Sequence, residues 1–326
     1  MNFPKIFSLS KEYVPEFDEH IPKEDYNWSA KIRIKEHKQD LILYGTQKEP
    51  YIISPKIGKK TLPLFKSNLQ KCVRRKDEGR SIRTALAIFS YSPSELLRRL
   101  PIIMIEDTLI HPKSLIRLVW YMCAVSKGFV LSKEELSWVL GVVSAMCEND
   151  TYDAFNSRCK KTKDVDWSKL PYEQQKFFWA LELRKFYGGM WVDKQMIEYH
   201  EELWKERFSS DALSGWFDKI QNQPEYEVDI DLLDSNVDKD DVLLSAIDYH
   251  PYPFLVRKMI EKYPTLSADE IRISIWMCRS RINDRTPIDL TKFRESGNNI
   301  KNIFEIFRED LEGFTGWLRY RLDFTD

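Results

Sequence analysis

Three groups of residues carry types and spacings that could do chemistry. The first is the basic run Lys71-Cys72-Val73-Arg74-Arg75, with Arg80 and Arg83 close behind. Lys71, Arg74 and Arg75 recur at helical spacing and share one helix face. Cations so arranged contact phosphates without reading sequence. The second is Glu106-Asp107, an acidic pair set among apolar neighbours. Paired carboxylates can exchange protons, but this pair has no adjacent base, nucleophile or metal-ligand partner in the sequence. The third is the acidic stretch "EYEVDIDLLDSNVDKDD", residues 225–241. A calcium loop starting at Asp229 would need Gly at its sixth position and Glu at its twelfth; Asp234 and Asp240 stand there, and the pattern fails.

Other chemistries lack their motifs. There is no phosphate-cradling G-x-x-x-x-G-K-[ST], no dinucleotide fingerprint and no nucleophile elbow. His20, His37, His111, His200 and His250 never pair at i+3 or i+4, so no helical zinc site is expected. No catalytic residue, metal or cofactor is assigned from the sequence. The five cysteines, with no C-x-x-C, fit a reducing compartment rather than a disulfide framework. The first eleven residues carry no signal pattern, and the longest apolar run, 118–125, is too short to cross a bilayer. An intracellular chain in cytoplasm or nucleus is expected, with no membrane partner.

The net charge of −1 hides an asymmetry. Residues 31–83 hold fifteen Lys or Arg against five Asp or Glu, and residues 225–248 hold nine acids and one lysine. A basic segment of this kind attracts polyanions. Alternatively, the two segments solvate different faces, or pair with each other.

The elements that must position these groups are mostly helices. Eleven glycines in 326 residues, with many long side chains, disfavour tight β turns. The fold class expected is mainly α: a multi-helix bundle or array with a small N-terminal β hairpin or patch. Residues 1–30 read as an irregular arm. In "AKIRIKEHKQDLILYG", Ile32 and Ile34 face one way and Lys31, Arg33 and Lys35 the other. "LILYG" and "YIIS" read as further strand segments. The basic face of this β element, with Tyr44 and Tyr51 near it, extends the candidate nucleic-acid surface.

From Leu64 the period becomes helical. Ser92-Pro93-Ser94-Glu95, Ser132-Lys133-Glu134-Glu135 and Ser267-Ala268-Asp269-Glu270 are capping boxes that mark helix starts. Residues 115–125 and 136–146 are apolar on nearly all sides and belong at a bundle centre. Helices are also read over 171–187, 193–208, "DDVLLSAIDYH", "PYPFLVRKMIEKYP", "ADEIRISIWMCRSRI" and a C-terminal pair around Ile303 and Trp317. The expected division is 1–63 (arm and basic β element), 64–150 (helical bundle) and 151–326 (second helical region with its acidic linker).

The stretch "LQKCVRRKDEGRSIRTALAIFSYSPSELLRRLPIIMIEDTLIHP" resembles the helical C-terminal region of RarA/MgsA replication-recombination ATPases, relatives of clamp loaders. The likeness rests on Leu69, Lys71 and Arg74, then Ala85-Leu86, Arg98-Arg99-Leu100, Glu106-Asp107 and Pro112. It spans about residues 64–148, without the ATPase module. Pro101 breaks the family's helix pattern, and Thr108-Leu109 replace its usual Ile-Gly. The segment "AIDYHPYPFLVRKMIEKYPTLSADEIRISIWMCRSRIN" also looks like proteins of large DNA viruses. The main resemblance implies an assembly or DNA-associated module in which Glu106 and Asp107 fix a helix corner. Nucleic acid, a protein partner or a second copy are the partners it implies. A scaffold without a nucleic-acid role is the alternative, and a metal-dependent enzyme using the 225–241 acids the third.

Overall fold

The computed structural model describes residues 3–108, 112–151, 167–209, 227–233, 236–285 and 294–324. The elements are β1 (Ile6–Leu9), β2 (Pro15–Asp18), β3 (Trp28–Ile34), β4 (Gln39–Gly45), α1 (Leu62–Arg74), α2 (Glu78–Tyr91), α3 (Pro93–Asp107), α4 (Pro112–Val125), α5 (Lys133–Glu148), α6 (Tyr172–Phe186), α7 (Trp191–Ser209), α8 (Phe254–Lys262), α9 (Ala268–Ile275) and α10 (Arg294–Arg321). A π turn, Trp276–Ser280, follows α9 directly. The chain is mainly helical with one small N-terminal sheet, the class its composition predicts. Among the described residues, no helix is long and apolar enough to cross a membrane.

The spatial division is not the linear one expected at 63 and 150. One unit comprises Met1–Ile52 with Pro93–Ile230, and the other Ile53–Ser92 with Asp231–Asp326. Helices α1 and α2 therefore belong with the C-terminal region, and α3–α5 with the sheet. The stretch that resembles the ATPase region is shared between the two units.

In the sheet-containing unit the strand order is β2-β1-β4-β3. β1 pairs antiparallel with β2 and parallel with β4, and β3 pairs antiparallel with β4. Residues 1–30, expected as an irregular arm, thus supply β1, β2 and the start of β3. All four β1 residues are buried, so the strand shows no alternation to read. β3 alternates as predicted: Ile32 and Ile34 are buried, and Lys31 and Arg33 are exposed. The segment "YIIS" forms no strand; only Tyr51 is tied down, its N–H donating to the Leu131 carbonyl at 2.9 Å.

α4 packs on β1 and β2 and is buried over most of its surface, as an all-round apolar helix must be. Trp120 anchors the contact by donating its indole N–H to the Phe7 carbonyl at 3.1 Å. A Cβ placed on Gly45 falls 2.5 Å from Trp120 Cη2, so the end of β4 tolerates only glycine against that ring. α3 and α6 flank α4, and α7 packs on α3 and α6. Pro101, read from the sequence as breaking the family pattern, lies inside α3 without ending it. Burial of Leu97, Leu100, Ile102 and Ile103 around it outweighs the missing N–H.

The other unit is built on a core of Leu64, Val242, Ile247, Leu255, Ile271, Ile275, Phe307 and Leu311, with further apolar residues around it. "DDVLLSAIDYH" is not an α-helix; it takes in the end of one short 3₁₀ turn, Lys239–Asp241, and all of another, Leu244–Ala246. Of the three capping boxes, Ser132 with Glu135 and Ser267 with Glu270 are fully formed, each serine accepting from the glutamate N–H and each glutamate accepting in return. Pro93 opens α3 where its box predicted.

Candidate functional site

The basic run and the acidic C-terminal region meet inside the second unit. α1 is amphipathic, and its last turn carries Lys71 and Arg74. Both are nearly inaccessible, at 3% and 2% exposure. A buried ammonium needs an acid and further acceptors. Lys71 Nζ lies 3.0 Å from Asp248 Oδ2 and donates to Ser67 Oγ at 2.9 Å. Asp248 is fully buried and accepts on both oxygens: from Ser280 Oγ at 2.8 Å, and from the His250 backbone N–H at 2.8 Å and ring Nδ1 at 3.0 Å. A carboxylate can only accept, so His250 carries its proton on Nδ1 and leaves Nε2 as its outer nitrogen. Burial alone would raise the Asp248 pKa. The His250 hydrogen bond and the Lys71 charge override it and hold the carboxyl well below the usual range.

Arg74 and Arg75 serve the end of the π turn. Its last carbonyls have no partners within the helix. Arg74 Nη1 donates to the Ser280 carbonyl at 2.8 Å, and Arg75 donates to the carbonyls of Arg279, at 3.0 Å, and Ile282. Cations at a helix C-terminus also meet the negative end of its dipole. The Arg74 guanidinium lies 5.4 Å from the Trp276 ring centroid. Arg80 pairs with Asp77 at 2.6 Å and donates Nε to the Asp240 carbonyl at 3.0 Å. Arg83 donates Nε and Nη2 to Asp241 Oδ1 at 2.9 and 2.6 Å.

The eight cations assigned to a nucleic-acid face therefore fall into two sets. Lys71, Arg74, Arg75, Arg80 and Arg83 are engaged within their own unit. For the buried Lys71 and Arg74 a direct phosphate contact is closed off, because each lies under its partners. This is a correction to the continuous basic surface read from spacing: Lys71 and Arg83 pair with acids of the 225–248 segment, while Arg74 and Arg75 bind backbone carbonyls and Arg80 pairs with Asp77. Lys31, Arg33 and Lys35 stand exposed on or just after edge strand β3. Asp40 bridges two of them, 2.7 Å from Lys31 and 3.1 Å from Arg33. Those two hydrogen bonds lower the Asp40 pKa.

Glu106 and Asp107 are the last two residues of α3, as predicted, with Asp107 buried. His111 and the rest of the turn lie outside the described residues, and so does Asp234 of the acidic stretch. Asp241, from the same stretch, is committed to Arg83 and to the N–H of Asp238. Among the described residues, no group of three or more His, Cys, Asp or Glu is placed to hold a metal.

Spacing alone missed the Asp248 cluster. Asp248-Tyr249-His250 was legible as an Asp-x-His step, but its partners Lys71 and Ser280 lie 177 and 32 positions away along the chain. The cluster resembles a hydrolytic triad in composition only. Ser280 donates to Asp248 rather than to His250, so the serine–histidine contact of a triad is missing and the hydroxyl faces a carboxylate already committed to Lys71. What the arrangement does chemically is clamp three segments of the unit onto one buried carboxylate.

No protein family, curated protein or solved structure compared with this chain matches it.

Proposed function

We propose that the chain is a non-enzymatic assembly protein that works by docking a protein partner or a second copy, in the setting of DNA replication or repair. The observation that supports docking is an exposed apolar triplet at the start of α7: Met190, Trp191 and Val192, at 58%, 71% and 53% exposure. Single exposed apolar residues are ordinary, but a contiguous triplet centred on a tryptophan has the character of a binding anchor. The replication setting is supported by the resemblance of residues 64–148 to the RarA/MgsA region. Sedimentation velocity over a wide concentration range tests the reading, with Trp191→Ser as the comparison. Self-association that Trp191→Ser weakens supports docking of a second copy. A monomer at all concentrations removes that form and leaves a heterologous partner to be sought by crosslinking through residue 191.

A second reading is supported by the exposed row Lys31, Arg33 and Lys35. It is contact with a nucleic-acid backbone along edge strand β3. Fluorescence anisotropy with labelled single- and double-stranded DNA at low and moderate salt tests it, and absence of binding at low salt removes it. The third possibility, metal-dependent chemistry on the 225–241 acids, has no assembled ligand set among the described residues in its support; calorimetric titration with Mg²⁺ or Mn²⁺ would reveal one.

A further inference from the structure

The Ile53–Ser92 and Asp231–Asp326 unit holds a cavity of about 370 Å³ between the π turn and α10. That is within the size range of small-molecule sites. Met277, Ile282 and Phe304 give it apolar wall, and Arg279, Lys301 and Arg308 give it positive charge. Glu305 and Glu312 also line it.

The charges do not cancel. Arg308 lies 3.0 Å from Glu305. Arg279 is 8% exposed, yet makes no ion pair among the described residues. Its Nη2 donates to Thr315 Oγ1 at 2.9 Å, and Thr315 spends its own proton on the Glu312 carbonyl. Its Nη1 is sealed from solvent and has no partner among the described residues. A guanidinium buried with one neutral acceptor lacks both a counter-charge and the hydrogen bonds it would have in water. Burial pushes its pKa down to about 10, with only partial opposition from the more distant Glu312 and Asp248. Lys301, at the exposed mouth, likewise makes no ion pair among the described residues. Among the described lining residues, three cations against two carboxylates leave one positive charge. The backbone gives a second pointer: Met277, Cys278 and Arg279 sit in the π turn, an irregularity that recurs at binding and catalytic sites.

We infer that this cavity binds a small organic monocarboxylate, its apolar body against Met277, Ile282 and Phe304 and its single negative charge between Arg279 and Lys301. One carboxylate completes the charge balance and supplies the buried Arg279 with a nearby counter-charge. A phosphate dianion would overshoot that balance and meet Glu305 and Glu312.

Cys278 lines the same cavity and is half-buried, whereas Cys72, Cys123 and Cys147 are buried. Its alkylation by iodoacetamide at mildly alkaline pH, followed by peptide mapping on the full chain, reports occupancy without any mutation. The probes are 2-naphthoate, its neutral analogue 2-naphthamide, and inorganic phosphate. Naphthoate is expected to slow Cys278 alkylation saturably while the other two do not. Lys301→Glu, a change at an exposed position, is expected to weaken that protection by roughly tenfold in concentration. Arg279→Met is expected to abolish it, with circular dichroism confirming that the variant is folded. Absence of protection by naphthoate in the wild-type chain overturns the inference. So does equal protection by naphthamide, or protection by phosphate at the same concentrations.

Discussion

Lys71 and Asp248 meet at 3.0 Å with side-chain exposures of 4% and 0%, joining the last turn of α1 to a segment 177 residues later. The contact turns the most suggestive basic residue of the sequence into a structural one. Removing either partner alone leaves a buried, uncompensated charge. Lys71→Met is expected to destabilise its unit by about 3–5 kcal/mol. The double variant Lys71→Met with Asp248→Asn is expected to lose clearly less than the sum of the single changes. Urea unfolding of the four proteins of the cycle checks this, and additive losses would mean the pair is not coupled.

Acid sensitivity follows from the same carboxylate. The folded-state pKa of Asp248 lies below its ordinary 3.8. A depressed carboxylate contributes stability that is complete above the unfolded value and is lost as pH falls through the folded one. The urea midpoint is therefore expected to decline below pH ~4 in the wild type and to decline less steeply in Asp248→Asn. Parallel acid limbs in the two proteins would contradict the assignment.

The two basic sets should separate in DNA-binding measurements. Lys31, Arg33 and Lys35 replaced together by Ala are expected to leave the fold intact. If the chain binds DNA, they should lower the salt slope by about one for each phosphate contact removed. Lys71, Arg74 and Arg75 replaced together are expected to unfold their unit instead, seen as loss of helical circular dichroism. A folded triple variant would return those residues to the surface set.

Gly45 tests the contact between β4 and α4. Gly45→Ala forces a methyl group into the Trp120 ring, whose indole is held by the Phe7 carbonyl. Overpacking of this kind typically costs about 1–3 kcal/mol. The expected thermal midpoint is lower, and Trp120→Phe in the Gly45→Ala background should recover part of the loss.

Capping offers a smaller effect. Ser132→Ala removes the oxygen that accepts the Glu135 N–H at 3.3 Å and is expected to cost about 1 kcal/mol. Ser267→Ala should behave alike in the other unit, and no change in either would show the boxes to be dispensable.

Local interactions were legible in the sequence because each is decided within a few residues. The serine boxes at 132 and 267 set their helix starts, and the alternation of Ile32 and Ile34 with Lys31 and Arg33 set the faces of β3. The all-round apolar character of α4 announced its burial. The mainly helical class followed from the same short-range preferences. Where burial removes the pattern, the sequence was silent: β1 has no exposed side, and so no period. Tertiary structure alone decided that α1 and α2 join the C-terminal region, and that the 31–83 cations split into an exposed row and an internal clamp. A charge in a sequence carries no sign of whether it faces water. Only packing against a distant carboxylate such as Asp248, or exposure to water as at Lys35, decides whether that charge holds the fold together or stays on the surface.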